Sequence, residues 1–220
     1  MRRDFDAVRI NRVVNHPEVK RWISQTNDVI DLTPMVTNPR NILLMSDGGG
    51  TLFVNHAPAL YELHTQFLPD GRRLAFRFVR EALRWMFLRS DAMELMTRVP
   101  IVNEAAVRFT EAFGPIMQHE GPGNGPFGPC AVRIYRMTWW DWLKTVKWPP
   151  VEGFPDDANA LAALACIAEG GIDKGVVLFN RWASVAGYAP IDLHHNAHAA
   201  ACAAATLESG ACLSQSQQQS

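Results

Sequence analysis

Glu62 and His64 stand two residues apart in the stretch Tyr61-Glu-Leu-His-Thr-Gln-Phe-Leu68. On an extended strand that spacing puts both side chains on one face. A carboxylate or an imidazole held there can take a proton from an amine, directly or through a water. The same two residues can equally form a hydrogen-bonded pair on a half-buried strand. A second group is His194, His198 and Cys202, spaced four apart on a predicted helix and flanked by His195. Histidines at i and i+4 can bind zinc. No further acidic or cysteine partner is identifiable nearby and the helix is alanine-rich, so packing or interface use is the favoured reading and no metal is expected.

The chain that positions these groups has 220 residues, which suits one domain, or one domain with an appendage. Its formal net charge is −1 and its arginines are scattered among apolar residues. Neither a nucleic acid nor an anionic membrane is an expected partner. The start, Met1-Arg2-Arg3-Asp4-Phe5-Asp6, turns acidic at once and has no apolar region of a secretory signal. No run of about 18 apolar residues predicts a membrane span. The cysteines Cys130, Cys166, Cys202 and Cys212 form no C-x-x-C pair and read as reduced thiols in a cytosolic setting.

Periodicity predicts a first strand over 5–10, a helical stretch over 11–30 in which Pro17 either sits in a first turn or breaks the helix, and a hairpin of strands 41–46 and 51–56 around Asp47-Gly48-Gly49-Gly50. A strand over 59–68 ends at Pro69-Asp70-Gly71. A helix follows over 72–89, where Phe76, Val79, Leu83, Met86 and Phe87 recur at helical spacing. A strand over 93–99, a helix over 103–113, a loop over 121–129 rich in glycine and proline, and a last strand over 131–140 complete the pattern. This order predicts an α/β fold with a mixed sheet and helices on its faces. After about residue 141 the composition shifts. Trp148-Pro149-Pro150 reads as a joint. Three alanine-rich helices are expected over 156–169, 172–186 and 194–208, followed by a polar Ser/Gln tail.

The stretch Tyr61 to Ala75 with its following helix, the strand Glu94-Leu-Met-Thr-Arg-Val-Pro100, and the segment Asn103-Glu-Ala-Ala-Val-Arg-Phe-Thr-Glu-Ala-Phe-Gly114 together resemble the GNAT superfamily of acyl-CoA N-acyltransferases. The wording Glu62-x-His64-Thr65 with Leu68-Pro69 is similar to GNAT-type proteins encoded by bacteriophages. The resemblance covers residues 1–140 and implies a GNAT-like domain there, with 141–220 as a helical C-terminal extension. It implies acetyl-CoA as cofactor, held by Phe67, Leu68, Gly71, Arg72, Arg73, Leu74, Ala75 and Asn103. The cofactor's pyrophosphate is expected at the turn 71–75, where helix N-terminal N–H groups and the dipole favour an anion. Gly71 permits close backbone approach and Arg72 and Arg73 can add charge-assisted contacts. The alternative is a plain strand-to-helix turn with solvated arginines.

The chain departs from the family pattern at two points. The pattern Arg/Gln-x-x-Gly-x-Gly/Ala, aligned without a gap, falls on Gly71, Leu74 and Phe76. The tyrosine that many members place seven residues after the asparagine is Thr110, a far weaker acid than a phenol. Two functions are therefore implied. One is transfer of an acetyl group from acetyl-CoA to an amine, with Glu62 or His64 as base. The other is a non-catalytic protein of the same fold, working through protein contacts made by 141–220, for example within a virion. The setting is the bacterial cytoplasm or the virion.

Overall fold

The computed structural model describes residues 2–154 and 156–190. The first departure from expectation comes at Asp6, whose side chain accepts the Val8 N–H and starts a helix where a strand over 5–10 was expected. An N-cap of this kind satisfies a backbone donor that a strand would leave to a neighbour. Only Arg3–Asp4 pair as a strand (β1). Helix α1 (Ala7–Val14) then buries Ile10, Val13 and Val14, the three- and four-residue spacing of one face. Helix α2 (Pro17–Lys20) carries its proline at the first turn, one of the two placements expected. A short helix α3 (Thr33–Thr37) was not expected.

The hairpin is formed by β2 (Ile42–Ser46) and β3 (Gly49–Ala57), and β3 pairs antiparallel with β4 (Leu60–Phe67). A single 3-10 turn, Pro69–Gly71, leads into α4 (Arg72–Arg89). The strand β5 (Glu94–Pro100) follows, then α5 (Glu104–Glu111), whose N-cap Asn103 accepts the Ala106 N–H at 3.1 Å. The expected loop over 121–129 is instead mostly strand. β6 (Ile116–Gly125) runs through Gly121-Pro122-Gly123-Asn124-Gly125 and turns at 126–127 into β7 (Gly128–Thr138). β6 lies at the sheet margin, where a proline removes a donor that has no partner strand to lose. Its glycines answer to crowding. A Cβ at Gly123 would stand 2.6 Å from Val132 Cγ2, and one at Gly125 would stand 2.5 Å from Cys130 Sγ.

Among the described residues, seven strands form one mixed sheet in the order β1-β2-β3-β4-β5-β7-β6. All neighbours are antiparallel except β4 and β5, which are adjacent and parallel, as the strand–helix–strand order predicts. One face of the sheet's first half packs Leu43 and Leu52 against Ile10, Val13, Val14 and Val19.

Contacts divide the chain into two units. The first is Met1–Trp85 with Ala92–Trp142. The second is Met86–Asp91 with the chain from Leu143 onward. The last turn of α4 therefore belongs with the second unit, although the chain's composition changes only after residue 141. Within the second unit, α7 (Ala158–Ala168) has every residue from Ala160 to Ile167 buried. It packs on α8 (Ile172–Ala186), where a Cβ at Gly175 would stand 2.5 Å from Ile167 Cγ1. The short helix α6 (Trp139–Leu143) follows β7, and its Trp139, Trp142 and Leu143 are buried. The helix expected over 194–208, with His194, His198 and Cys202, lies outside the described residues. Among the described residues, Cys130 and Cys166 are unpaired thiols, no group of three His, Cys, Asp or Glu side chains could hold a metal, and no helix is long and apolar enough to cross a membrane.

Candidate active site

β4 and β5 pair at only three positions, Leu60 with Glu94, Tyr61 with Leu95 and Glu62 with Met96. Beyond them each strand continues, β4 to Phe67 and β5 to Pro100, with no further ladder between the two. Thr97 Oγ1 donates to Leu63 O at 2.9 Å across the start of the gap. Backbone groups of parallel strands that part in this way are left for another partner. The gap opens on a cavity of about 510 Å³. Its walls are the separated strand ends, one face of α4, the α5 face carrying Phe109 and Thr110, and the segment that holds Glu18, Arg21 and Trp22.

Glu62 sits at the last paired rung with its side chain only 3% exposed. Arg98 binds it with both forks, Nε to Oε1 at 2.8 Å and NH2 to Oε2 at 2.9 Å. His56 Nε2 meets Oε2 at 2.7 Å, and His64 Nε2 lies 3.6 Å from Oε1. Burial pushes the Glu62 carboxyl up, but the Arg98 bond and the two histidines outweigh it, and the group is held below the usual carboxylate range. A carboxylate so bonded is a weak base. His64 is different. Burial pushes its pKa down, Glu62 draws it back up, and Arg98 and His56 push it down again, for a net value below the usual imidazole range. Its side chain keeps 38% exposure and lies on the cavity wall. A neutral imidazole facing a cavity has the protonation state that a general base needs near neutral pH. The expected pair thus does lie together, and the structure separates its members into a buried, ion-paired carboxylate and an accessible imidazole.

The residues expected around the cofactor divide too. Phe67, Arg72, Ala75 and Asn103 line the cavity. Leu68, Gly71, Arg73 and Leu74 do not. Leu68 packs on the cluster of α1, and its N–H donates to Gly48 O at 2.9 Å. Leu74 is 57% exposed and Arg73 is also exposed, so both point away. The Gly71 N–H bonds Leu68 O and the Arg72 N–H bonds Pro69 O, so the 3-10 turn takes two donors that an anion would otherwise meet. Gly71 is required by a neighbour. Its Cβ would stand 2.7 Å from Gly48 Cα and would collide with Gly48 O.

Several groups at the site were not read from the sequence. Arg98 and His56 complete the Glu62 cluster, and only the strand register reveals them. Tyr135 lies on the wall and donates its hydroxyl to Glu111 Oε1 at 2.8 Å. Burial and that bond raise its pKa, so it stays protonated. On the α2 side, Trp22 meets Phe127 of the β6–β7 turn edge-on at 5.6 Å, and Gln25 Nε2 donates to Gly125 O at 2.6 Å. These contacts join segments a hundred residues apart and carry no local signal.

No protein-family model matches the sequence, and no curated protein sequence matches it. Solved structures do. A Vibrio cholerae spermidine N-acetyltransferase, in complex with CoA and spermine, superposes with a TM-score of 0.51 at 14% identity, over 63% of this chain and 92% of that one. The fold is that of the GNAT acetyltransferases. Mutant forms of the spermidine/spermine N-acetyltransferase SpeG from the same organism align with a TM-score of 0.47 at 13% identity, over 53% of this chain and 74% of theirs. At these identities the likeness speaks for the GNAT fold alone. CoA is bound to the first of these proteins. In this chain the gap between β4 and β5 opens on an apolar wall that includes Phe67, Ala75 and Val79. The cavity also holds the Arg72 guanidinium, which donates to Glu18 O at 3.3 Å.

Proposed function

We propose that this chain transfers an acyl group from a CoA thioester, acetyl-CoA, to an amine. The observation that carries this reading is the parting of β4 and β5 beyond Glu62 and Met96, with a cavity through the gap and His64 on its wall. A CoA thioester held there would supply the acyl group, its C–S bond breaking as the C–N bond forms and CoA leaving as the thiol with the proton that the attacking nitrogen sheds. The chain's own residues bind and move the proton. His64 takes a proton from the acceptor's ammonium group, directly or through water, because only the neutral amine attacks. Glu62 is a positioning residue. Held by Arg98 and His56, it places a negative charge behind His64 and stabilises the imidazolium formed when the proton arrives. Arg72 holds phosphate charge. Asn103, by capping α5, fixes the wall that carries Thr110. Thr110 adds polarity to that wall and is too weak an acid to supply a proton.

The test is calorimetry with acetyl-CoA on the full chain. One molecule bound per chain is expected. Arg72→Glu should weaken binding at least tenfold, while Arg73→Glu, which is off the cavity, should leave it unchanged. No binding to the unaltered protein would sink the reading.

A second reading rests on the capped donors at Gly71 and Arg72 and on α8, which exposes Val177 and Val185. In it the fold serves protein contacts through residues 141–220, as in a virion-type assembly, and no acyl group moves. Self-association that disappears on replacing both valines by lysine, in a protein that does not bind acetyl-CoA, would favour it.

A further inference from the structure

The charges on the cavity wall point to the class of amine it accepts. Among the described residues lining it, Glu18 is the only carboxylate, whereas Arg21, Arg72 and Arg98 are all cations. Glu18 is already engaged, with Arg21 NH2 2.7 Å from its Oε2. Glu62, the nearest other carboxylate, is closed in by Arg98 and His56 and does not line the cavity. An acceptor with several ammonium groups needs a carboxylate for each charge beyond the one that reacts, and like charges held close cost binding. This wall has none to give. It does offer apolar and aromatic area, from Trp22, Ile23, Phe109 and Phe113.

Resting on the transfer reading above, we infer that the acceptor is a monoamine with an apolar or aromatic body, and that polyamines are excluded because the described wall leaves no unpaired carboxylate for a second ammonium group. Arg21 is the residue that sets this preference most directly. It lies over the Trp22 ring, 5.5 Å from the centroid, and neutralises the one carboxylate a second ammonium group could use. The cation on that ring occupies the face that an incoming ammonium group would otherwise take.

The experiment is direct binding of two amines, 2-phenylethylamine and spermidine, to the full chain by calorimetry without cofactor. The unaltered protein should bind 2-phenylethylamine at least tenfold more tightly than spermidine. Arg21→Glu, a change at a half-exposed position, adds a carboxylate and releases Glu18, so spermidine binding should strengthen at least tenfold. Arg21→Gln should give a smaller gain in the same direction. Equal or tighter spermidine binding by the unaltered protein overturns the inference, as does failure of both amines to bind. A spermidine affinity that Arg21→Glu leaves unchanged would overturn the role of Arg21. Acetyl-CoA affinity, measured separately, tells a failure of this inference from a failure of the transfer reading.

Discussion

The two units of the chain each bury titratable groups, and answer them in opposite ways. In the first, Glu62 is buried and answered by side chains, Arg98 and His56, with an exposed imidazole beside them. In the second, the buried polar groups are answered by backbone. Lys174 Nζ donates to Phe87 O at 2.8 Å and Ser90 O at 3.3 Å, and the Cys166 thiol donates to Leu88 O at 3.0 Å. Burial pushes the Cys166 thiol up to about 11, which leaves it inert at neutral pH. Side-chain partners can exchange protons and rearrange, whereas backbone carbonyls only tie elements down. The contrast separates a place where chemistry can happen from one that holds helices together.

The sharpest way to break this comparison is His64→Ala. Acetyl transfer should fall about 10²–10⁴-fold near neutral pH, the usual worth of a general base, with acetyl-CoA affinity changed less than twofold. Undiminished transfer would move the chemistry away from the cluster. In the second unit, Gly175→Val drives a side chain into Ile167 and the Ala163 carbonyl. Overpacking of this kind costs about 1–3 kcal/mol, read as lowered thermal stability, and acetyl-CoA affinity should not follow it. Arg98→Met leaves Glu62 buried beside the histidines alone. Because Arg98 is itself half-exposed, the loss should be about 2 kcal/mol, below that for breaking a fully buried pair. Its pH signature has a definite sign. Glu62 is depressed in the folded state, so its contribution is present above the unfolded pKa and lost as pH falls through the folded one. Arg98→Met should shrink that acid-side loss, and an unchanged acid limb would show that Arg98 does not hold the charge.

The smallest effect concerns Lys174, whose pKa burial lowers to about 8. The unfolded chain then binds more protons than the folded one above that value. Stability should therefore rise by about 1 kcal/mol between pH 7 and pH 9, and Lys174→Met should flatten the rise. A rise that persists in the variant would assign it elsewhere.

Much of the fold could be read directly from residue spacing. α4 begins and ends where periodicity places it, because a single face of apolar residues and a proline-glycine stop act locally. The parallel pairing of β4 and β5 also follows from element order. What escaped had non-local causes. The strand over 116–125 looks like a loop because its glycines answer to Val132 and Cys130 across the hairpin. Asp6 was read as part of an alternating strand, although a capping aspartate followed by apolar residues at helical spacing was visible there. At the site, the closeness of Glu62 and His64 was legible, but the ion pairing of the one and the exposure of the other were not, since Arg98 arrives from another strand. Gly71 suggested room for a ligand, and the structure shows it instead making room for Gly48.

The margin strand β6 has a bearing on how this protein survives in concentrated solution. Ten residues with one side unpaired among the described residues would ordinarily template the addition of a foreign strand, the first step towards fibrils. Pro122 removes one donor from the β6 backbone, and Gly121, Gly123 and Gly125 around it are poor strand formers. The composition that hides this strand from a reader of the sequence also makes it a poor template for a passing chain.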